Sequence, residues 1–105
     1  MTLRDHVYHL DQLRIDLIEG SVLLDDKTVH LSPIEYKLLM YLAQHPGRVV
    51  THRELLVAIW GAEFVDDTHY LRIHMGRLRA KIESNPAEPR YLLTELGIGY
   101  RLAAQ

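Results

Sequence analysis

Two helix-start motifs constrain this chain more than any other feature of its sequence. Ser32-Pro33-Ile34-Glu35 and Thr51-His52-Arg53-Glu54 each place a hydroxyl residue three positions before a glutamate. This is the spacing of a capping box, in which each side chain accepts a hydrogen bond from the other residue's backbone N–H. The first motif also has proline at the first helical position. Apolar residues follow both motifs at helical spacing, which predicts two helices that end at His45-Pro46-Gly47 and at Gly61.

A third helix is predicted over Thr68–Ile82, after two aspartates whose charge is favourable at the positive end of a helix. Successive residues of a helix are rotated by about 100°, so one narrow stripe contains Leu71, Met75, Leu78 and Ile82. This apolar stripe is predicted to face the core. The opposite face carries His69, Ile73, Gly76, Arg77 and Ala80, flanked by Arg72 and Arg79 on one side and by Tyr70, His74 and Lys81 on the other.

Short strands are predicted on both sides of the helices. Residues 13–17 alternate between apolar and polar, as half-buried strands do. Ser21–Leu24 and residues 27–31 are expected to form a hairpin around Asp25-Asp26. Near the C-terminus, residues 91–95 and 100–102 flank a glycine-containing turn at residues 96–99. The order of strands, three helices and a hairpin predicts an α+β fold.

Length and composition narrow the class of protein. The 105 residues fit one domain, and the absence of cysteine excludes disulfides and thiolate metal sites. No apolar run approaches the roughly 20 residues that span a bilayer, and the first residues do not have the pattern of a signal peptide. We therefore expect a cytoplasmic protein that does not bind membranes.

No motif in the sequence predicts an enzyme, a metal site or a cofactor. The segment Gly97-Ile98-Gly99 lacks the rest of a nucleotide-binding fingerprint. His69 and His74 diverge by about 140° around a helix, so shared metal ligation is not expected. His6 and His9 fall in an expected tail. We accordingly predict no catalytic residues, no metal ligands and no cofactor.

The charge distribution favours a nucleic-acid partner more than the total charge does. The formal net charge is -2, but acids are concentrated in the first 31 residues. The third predicted helix has four basic residues and no acid. A phosphate backbone would be attracted to that helix, and protonated histidines would add to the attraction. An ordinary solvated helix face accounts for the charge alone equally well.

The exposed face of the third helix is unusual for a surface that meets only water. Gly76 costs roughly 1 kcal/mol relative to alanine inside a helix, and Ile73 exposes apolar surface. Both residues suit a face that presses against the floor of a groove, where Ile73 meets a thymine methyl and Arg72 and Arg77 reach guanine edges. Alternatively, Gly76 only permits close packing against a neighbouring helix.

Four segments together resemble the OmpR/PhoB family of response-regulator effector domains. They are Leu31-Ser32-Pro33-Ile34-Glu35-Tyr36-Lys37-Leu38-Leu39, Leu55-Leu56-Val57-Ala58-Ile59-Trp60-Gly61, Arg77-Leu78-Arg79-Ala80-Lys81-Ile82 and Gly97-Ile98-Gly99-Tyr100-Arg101. The likeness extends from about residue 13 to residue 102. Within the family, residues 69–79 look most like the KdpE potassium-transport regulators. The resemblance implies a winged helix-turn-helix with a four-stranded N-terminal antiparallel sheet, a three-helix bundle and a C-terminal β-hairpin wing. It also implies an effector domain at residues 10–105 and a receiver domain absent from this chain. Residues 1–9, a largely polar segment before the first clear strand, are expected to be a residual linker.

The resemblance implies sequence-specific binding of double-stranded promoter DNA, with residues 68–82 in the major groove and the wing, residues 92–102, on the backbone or minor groove. It implies base contacts by His69, Arg72, Ile73 and Arg77, and phosphate contacts by Trp60, Tyr70, His74, Arg79, Thr94 and Tyr100. RNA polymerase would contact Glu63 and Phe64, the expected exposed features of the turn before the third helix. Further implied partners are the receiver domain and its sensor kinase. The isolated domain is expected to be monomeric and to bind tandem direct repeats as head-to-tail pairs.

One residue departs from the family pattern. Some members place an arginine at the wing tip to enter the minor groove, whereas this chain has Leu96 after Glu95. The wing is therefore expected to contact the DNA backbone mainly through hydroxyl and main-chain N–H groups. This departure and the overall acidity also leave open a winged-helix protein-interaction module without specific DNA binding.

Overall fold

The computed structural model describes residues 6–105 and contains two antiparallel sheets around three helices. The first sheet, in the order β1-β2-β3-β4, precedes the helices, and the second sheet, in the order β5-β7-β6, carries the C-terminal hairpin. In chain order the elements are β1 (Val7–Leu10), β2 (Leu13–Asp16), β3 (Ser21–Leu24), β4 (Lys27–Thr28), α1 (Pro33–Ala43), β5 (Val50–Thr51), α2 (His52–Ile59), α3 (Thr68–Ile82), β6 (Leu92–Glu95) and β7 (Gly99–Leu102). This architecture confirms the predicted α+β winged helix.

The linker predicted over residues 1–9 is wrong for its last residues. Val7–Leu10 forms β1, in which Tyr8 pairs with Ile15 of β2. The Tyr8 side chain is 1% exposed, and its hydroxyl donates to the Ala103 carbonyl at 2.7 Å. No local sequence signal marks this buried position, because the hydrogen-bond partner of Tyr8 is 95 residues away. Residues 1–5 lie outside the described part of the chain.

Two further strands differ from the sequence prediction. β4 ends at Thr28, three residues before the predicted end of its strand at residue 31. β5 was not predicted, because a strand of two residues has no periodicity. Val50 of β5 pairs with Tyr100 of β7, which attaches the wing to the start of α2. Gly99 makes this approach possible, since a Cβ built on it would lie 1.9 Å from the Val50 carbonyl oxygen.

The helix starts vary in how completely they are capped. At α1 the capping box is complete: the Glu35 N–H donates to Ser32 Oγ at 3.2 Å, and the Ser32 N–H donates to Glu35 Oε1 at 3.0 Å. At α2 only half of the predicted box forms. Thr51 accepts from the Glu54 N–H, but the Glu54 carboxylate accepts from the Tyr41 hydroxyl and from Arg48 instead. Asp67 caps α3 by position but without a side-chain hydrogen bond.

The core confirms the predicted orientation of α3. Its apolar stripe is at most 1% exposed and joins side chains of α1, α2 and both sheets in one hydrophobic cluster. The stripe residues are Leu71, Met75, Leu78 and Ile82. Because these residues are fixed in the interior, the opposite face of α3 is directed outward.

We predict that Gly99→Ala destabilises the fold by about 1–3 kcal/mol, the usual cost of forcing extra volume into a packed site. The new methyl group would collide with the backbone of β5. Equilibrium denaturation measures the loss. Gly76→Ala is the matched control, because a Cβ there meets nothing within 4 Å. Equal stability of the two variants would contradict this account of the junction between β5 and the wing.

Candidate nucleic-acid interface

The four residues predicted to contact bases are all exposed on α3. We call His69, Arg72, Ile73 and Arg77, together with Gly76 and Ala80, the reading face. Ile73 remains 36% exposed. A Cβ at Gly76 meets nothing within 4 Å, so close packing against a neighbouring helix of this chain does not explain the glycine. The centre of the reading face, at Gly76, is therefore open and is not packed against another side chain.

The predicted phosphate contacts near the start of α3 form one cluster. Trp60, which caps the end of α2, lies parallel to Tyr70 with ring centroids 6.4 Å apart and an interplanar angle of 8°. The His74 ring meets Trp60 edge-on at 5.4 Å. We call Trp60, Tyr70 and His74 the aromatic cluster. Trp60 also packs against the core but is only partly buried, so an outward-facing contact is compatible with its position.

The other three predicted phosphate contacts meet where α3 adjoins the wing. Arg79 donates through Nη2 to Thr94 Oγ1 at 2.7 Å, and its guanidinium lies 5.5 Å from the centroid of the Tyr100 ring. Thr94 and Tyr100 are cross-strand neighbours in the wing. We call Arg79, Thr94 and Tyr100 the wing clasp. The Tyr100 side chain is 5% exposed, so any contact to a phosphate is restricted to its hydroxyl end.

The donors of Arg79 are shared between the fold and the surface. Its Nε and Nη2 atoms both donate to the Leu92 carbonyl, at 3.0 and 2.7 Å, and Nη2 also donates to Thr94. Because a guanidinium has five N–H groups, the two on Nη1 remain for a phosphate. The Thr94 hydroxyl accepts from Arg79 and keeps its own proton to donate. The wing clasp can thus hold the wing and still contact an anion.

Glu83 is the residue of this region that sequence reasoning missed. Its buried carboxylate accepts from the backbone N–H groups of Arg90, Tyr91 and Leu92 at 2.7–3.3 Å. These bonds fix the loop that leads from α3 to the wing. A glutamate just beyond a basic helix gave no sequence signal, because its partners are backbone groups seven to nine residues further along the chain.

Two of the basic residues in this region are neutralised by acids. Lys81 Nζ lies 2.5 Å from the buried Glu35 carboxylate, and Arg101 lies 2.7 Å from Glu95 in the wing. In contrast, Arg72 and Arg77 take part in no ion pair within residues 6–105. The positive charge available to a ligand is therefore smaller than the sequence count of α3, and it is concentrated on the reading face.

The contact with Lys81 affects the pKa of Glu35. Burial of the carboxyl opposes its ionisation, but hydrogen bonds from Lys81 and from the Ser32 backbone outweigh burial and hold the pKa of Glu35 below its ordinary value. The ionised form is thus favoured in the folded state. Lys81 consequently stabilises the packing of α3 against α1 rather than standing free for a partner.

The wing tip and the turn before α3 expose different chemistry. Leu96 is 93% and Ile98 is 56% exposed at the tip, on either side of Gly97 with its positive φ of 77°.

In the turn before α3, a short 3-10 helix over Ala62–Phe64 leaves Glu63 exposed but Phe64 only partly so. The expectation of two exposed features in this turn therefore holds for Glu63 alone.

Residues 6–105 contain no group of three or more potential ligands that could hold a metal ion. Their helices include none with the length and apolar character needed to cross a membrane.

Comparison with known proteins gives one consistent family. Residues 26–102 match the family model "Transcriptional regulatory protein, C terminal". The chain is 44% identical over 100 residues to the KDP operon transcriptional regulatory protein KdpE of Escherichia coli K12, with 95% of this chain and 44% of the relative covered. It is 41% identical over 102 residues to KdpE of Mycobacterium tuberculosis, with 97% and 45% covered. The chain thus spans less than half the length of these curated relatives.

Solved structures agree with the sequence comparison. The response regulator DrrB, an OmpR/PhoB homologue of Thermotoga maritima, superposes with a TM-score of 0.82 at 32% identity, covering 94% of this chain and 45% of DrrB. The RstA DNA-binding domain of Klebsiella pneumoniae, solved in complex with the RstA box, gives a TM-score of 0.79 at 28% identity, covering 92% of this chain and 96% of that domain.

We predict that Lys81→Met lowers the free energy of unfolding by about 1 kcal/mol at pH 7 and that the difference from the unchanged chain shrinks in acid. A carboxyl with a lowered folded-state pKa contributes stability above its unfolded pKa of about 4.3 and loses it as the pH falls through the folded value. Denaturation at pH 7 and near pH 3 measures this difference.

Lys37→Met is the control for this experiment, because Lys37 is exposed on α1 and has no ion pair within residues 6–105. A difference between the Lys81 variant and the unchanged chain that stays constant with pH would show that Glu35 gains nothing from Lys81.

Proposed function

This chain belongs to the OmpR/PhoB type of transcriptional regulatory protein C-terminal domains, and on that premise we propose that it binds specific duplex DNA. It would act as the effector domain of a two-component response regulator and regulate transcription. The observation that supports this function best is the reading face: exposed, open at Gly76, and bordered by the aromatic cluster and the wing clasp. In this proposal α3 occupies the major groove, and the wing lies on the backbone or minor groove.

Base recognition is assigned to the reading face. Arg72 and Arg77 carry guanidinium groups without internal ion partners in the described chain, and arginine forms the commonest specific contact, a bidentate pair with guanine. Ile73 suits the methyl group of thymine. Its exposed apolar surface would then be covered in the complex. His69, in the first turn of α3, is positioned to reach base edges as the N-terminal residues of recognition helices do.

Phosphate contacts are assigned to the two groups that border the reading face. The aromatic cluster offers the Trp60 indole N–H, the Tyr70 hydroxyl and the His74 ring. The wing clasp offers hydroxyls and the remaining guanidinium N–H groups. Phosphate contacts fix the register and orientation of a protein on DNA, whereas base contacts carry the sequence information. In this assignment α3 has phosphate-contacting residues on both sides of its base-contacting face.

The similarity to regulators named for the KDP operon favours a potassium-transport operon as the target. The whole protein would then be cytoplasmic, with a receiver domain controlled by a sensor kinase. We further propose that the domain is monomeric alone and occupies tandem direct repeats as head-to-tail pairs. RNA polymerase is a candidate partner of the turn before α3, where Glu63 is exposed and Phe64 partly so.

A protein-interaction module without specific DNA binding is the second candidate. The net charge of -2 and the exposed apolar wing tip favour it. A titration with promoter DNA at low salt separates the two functions, because the interaction module would produce no sequence-specific complex.

The first test of DNA binding is its dependence on salt. If about four to six phosphates are neutralised, log K falls against log salt with a slope of about −4 to −5. Fluorescence anisotropy with a labelled duplex measures this slope. Affinity that does not change with salt would contradict phosphate binding by the aromatic cluster and the wing clasp.

Arg77→Ala tests base reading. We expect it to cost roughly 1–3 kcal/mol on the cognate site and to relax specificity at one base position. Arg14→Ala is the control with the same change of charge, since Arg14 is exposed on β2 in the N-terminal sheet. Equal losses on cognate and random DNA would assign Arg77 to a phosphate instead.

Gly76→Ala separates stability from binding. The variant gains about 0.8–1.0 kcal/mol of helix propensity and meets nothing within the chain, so thermal unfolding shifts to a higher temperature. If the axis of α3 approaches the groove floor, the same methyl group weakens binding to the cognate duplex. A variant that is more stable and binds as tightly as before would show that α3 does not approach the DNA so closely.

A further inference from the structure

The hydrogen bond of His74 to the main chain fixes which of its ring nitrogens carries a proton. His74 Nδ1 lies 2.9 Å from the carbonyl oxygen of Tyr70, one turn earlier in α3. A carbonyl oxygen can only accept, so Nδ1 must be the donor. In the neutral ring Nε2 then has a lone pair and no hydrogen.

This tautomer conflicts with phosphate binding by the neutral ring. Phosphate oxygens are hydrogen-bond acceptors, and a neutral His74 offers them a second acceptor at Nε2. After protonation the ring has N–H groups at both nitrogens. Nδ1 can then keep its bond to Tyr70 while Nε2 donates to a phosphate. The contact requires the imidazolium form.

The surroundings of the ring are compatible with a cation. The ring meets the aromatic side chains of Trp60 and Tyr70. Trp60 is also the C-cap residue of α2, and the partial negative charge at a helix C-terminus is favourable to a nearby cation.

The elements that adjoin His74 carry several charged and titratable side chains. In α2 they all belong to the first turn, at the opposite end from Trp60: His52, Arg53 and Glu54. The connection to α3 carries Glu63, Asp66 and Asp67, and α3 itself carries His69, Tyr70, Arg72 and Arg77 near this position. Within residues 6–105 none of the acids forms an ion pair with His74.

We propose that His74 is a proton-linked phosphate contact, so that DNA binding takes up a proton at this residue and weakens as the pH rises. The inference rests on the proposed DNA-binding function and adds a regulatory property to it. A response regulator domain of this kind would bind its promoter more tightly in a slightly acidic solution, through one side chain outside the reading face.

The test measures the affinity for a cognate duplex between about pH 5.5 and 8.5 at constant salt, the range in which histidines usually titrate. Linkage of one proton makes affinity fall by up to tenfold per pH unit. We expect His74→Gln to reduce the slope of log affinity against pH by as much as about one log unit per pH unit. The glutamine amide can donate a hydrogen bond to a phosphate without first taking up a proton. His30→Gln, which changes an exposed histidine outside the surfaces assigned to DNA, should leave the contribution of His74 in place.

Calorimetry in buffers of different ionisation enthalpy measures the number of protons taken up on DNA binding. We expect the unchanged chain to take up a proton at His74 and the His74→Gln variant to lack this uptake. Nitrogen chemical shifts of the ring in the free domain should show hydrogen on Nδ1 at alkaline pH. A His74→Gln variant with an unchanged pH slope, or a free ring with hydrogen on Nε2, would overturn the proposal. Failure to bind any duplex at any pH would instead overturn the proposed function.

Discussion

The relation between α3 and the wing depends on the two backbone groups of one residue, Leu92. Its carbonyl accepts from Arg79, and its N–H donates to the Glu83 carboxylate at 2.8 Å. Arg79 and Glu83 are four residues apart, so the end of α3 and the residue that follows it bind both backbone groups of the first residue of β6. The Leu92 side chain is fully buried. Since the apolar stripe fixes the rotation of α3 and Leu92 fixes the wing against it, the two surfaces assigned to DNA are held in one geometry.

Ion pairs and hydrogen bonds within the chain determine which of its positive charges are available to DNA. With a sequence pI of about 6.4, the chain has no general excess of positive charge to attract nucleic acid. Lys81 and Arg101 are paired with acids, and Arg79 gives several of its donors to the wing. Arg72 and Arg77 remain on the reading face. Recognition in this account therefore combines base contacts by that face with salt-dependent phosphate contacts by a few positioned donors.

What could be predicted from the sequence was local. The Ser32 capping box and the apolar stripe of α3 follow from spacings of three and four residues, and both are confirmed. The burial of Tyr8 and the pairing of Val50 with Tyr100 depend on residues far along the chain, and neither was predicted. The same limit applies to the site. A helical wheel identified the reading face, whereas the roles of Glu83 and of Arg79 as supports of the wing needed the tertiary structure.

The most direct test of the account is selection of bound sequences from a random duplex pool by the unmodified chain. A reading face that contacts bases predicts convergence on one short motif, with tandem copies separated by about one helical turn, 10–10.5 base pairs. Binding that retains DNA but enriches no motif would contradict base reading by α3.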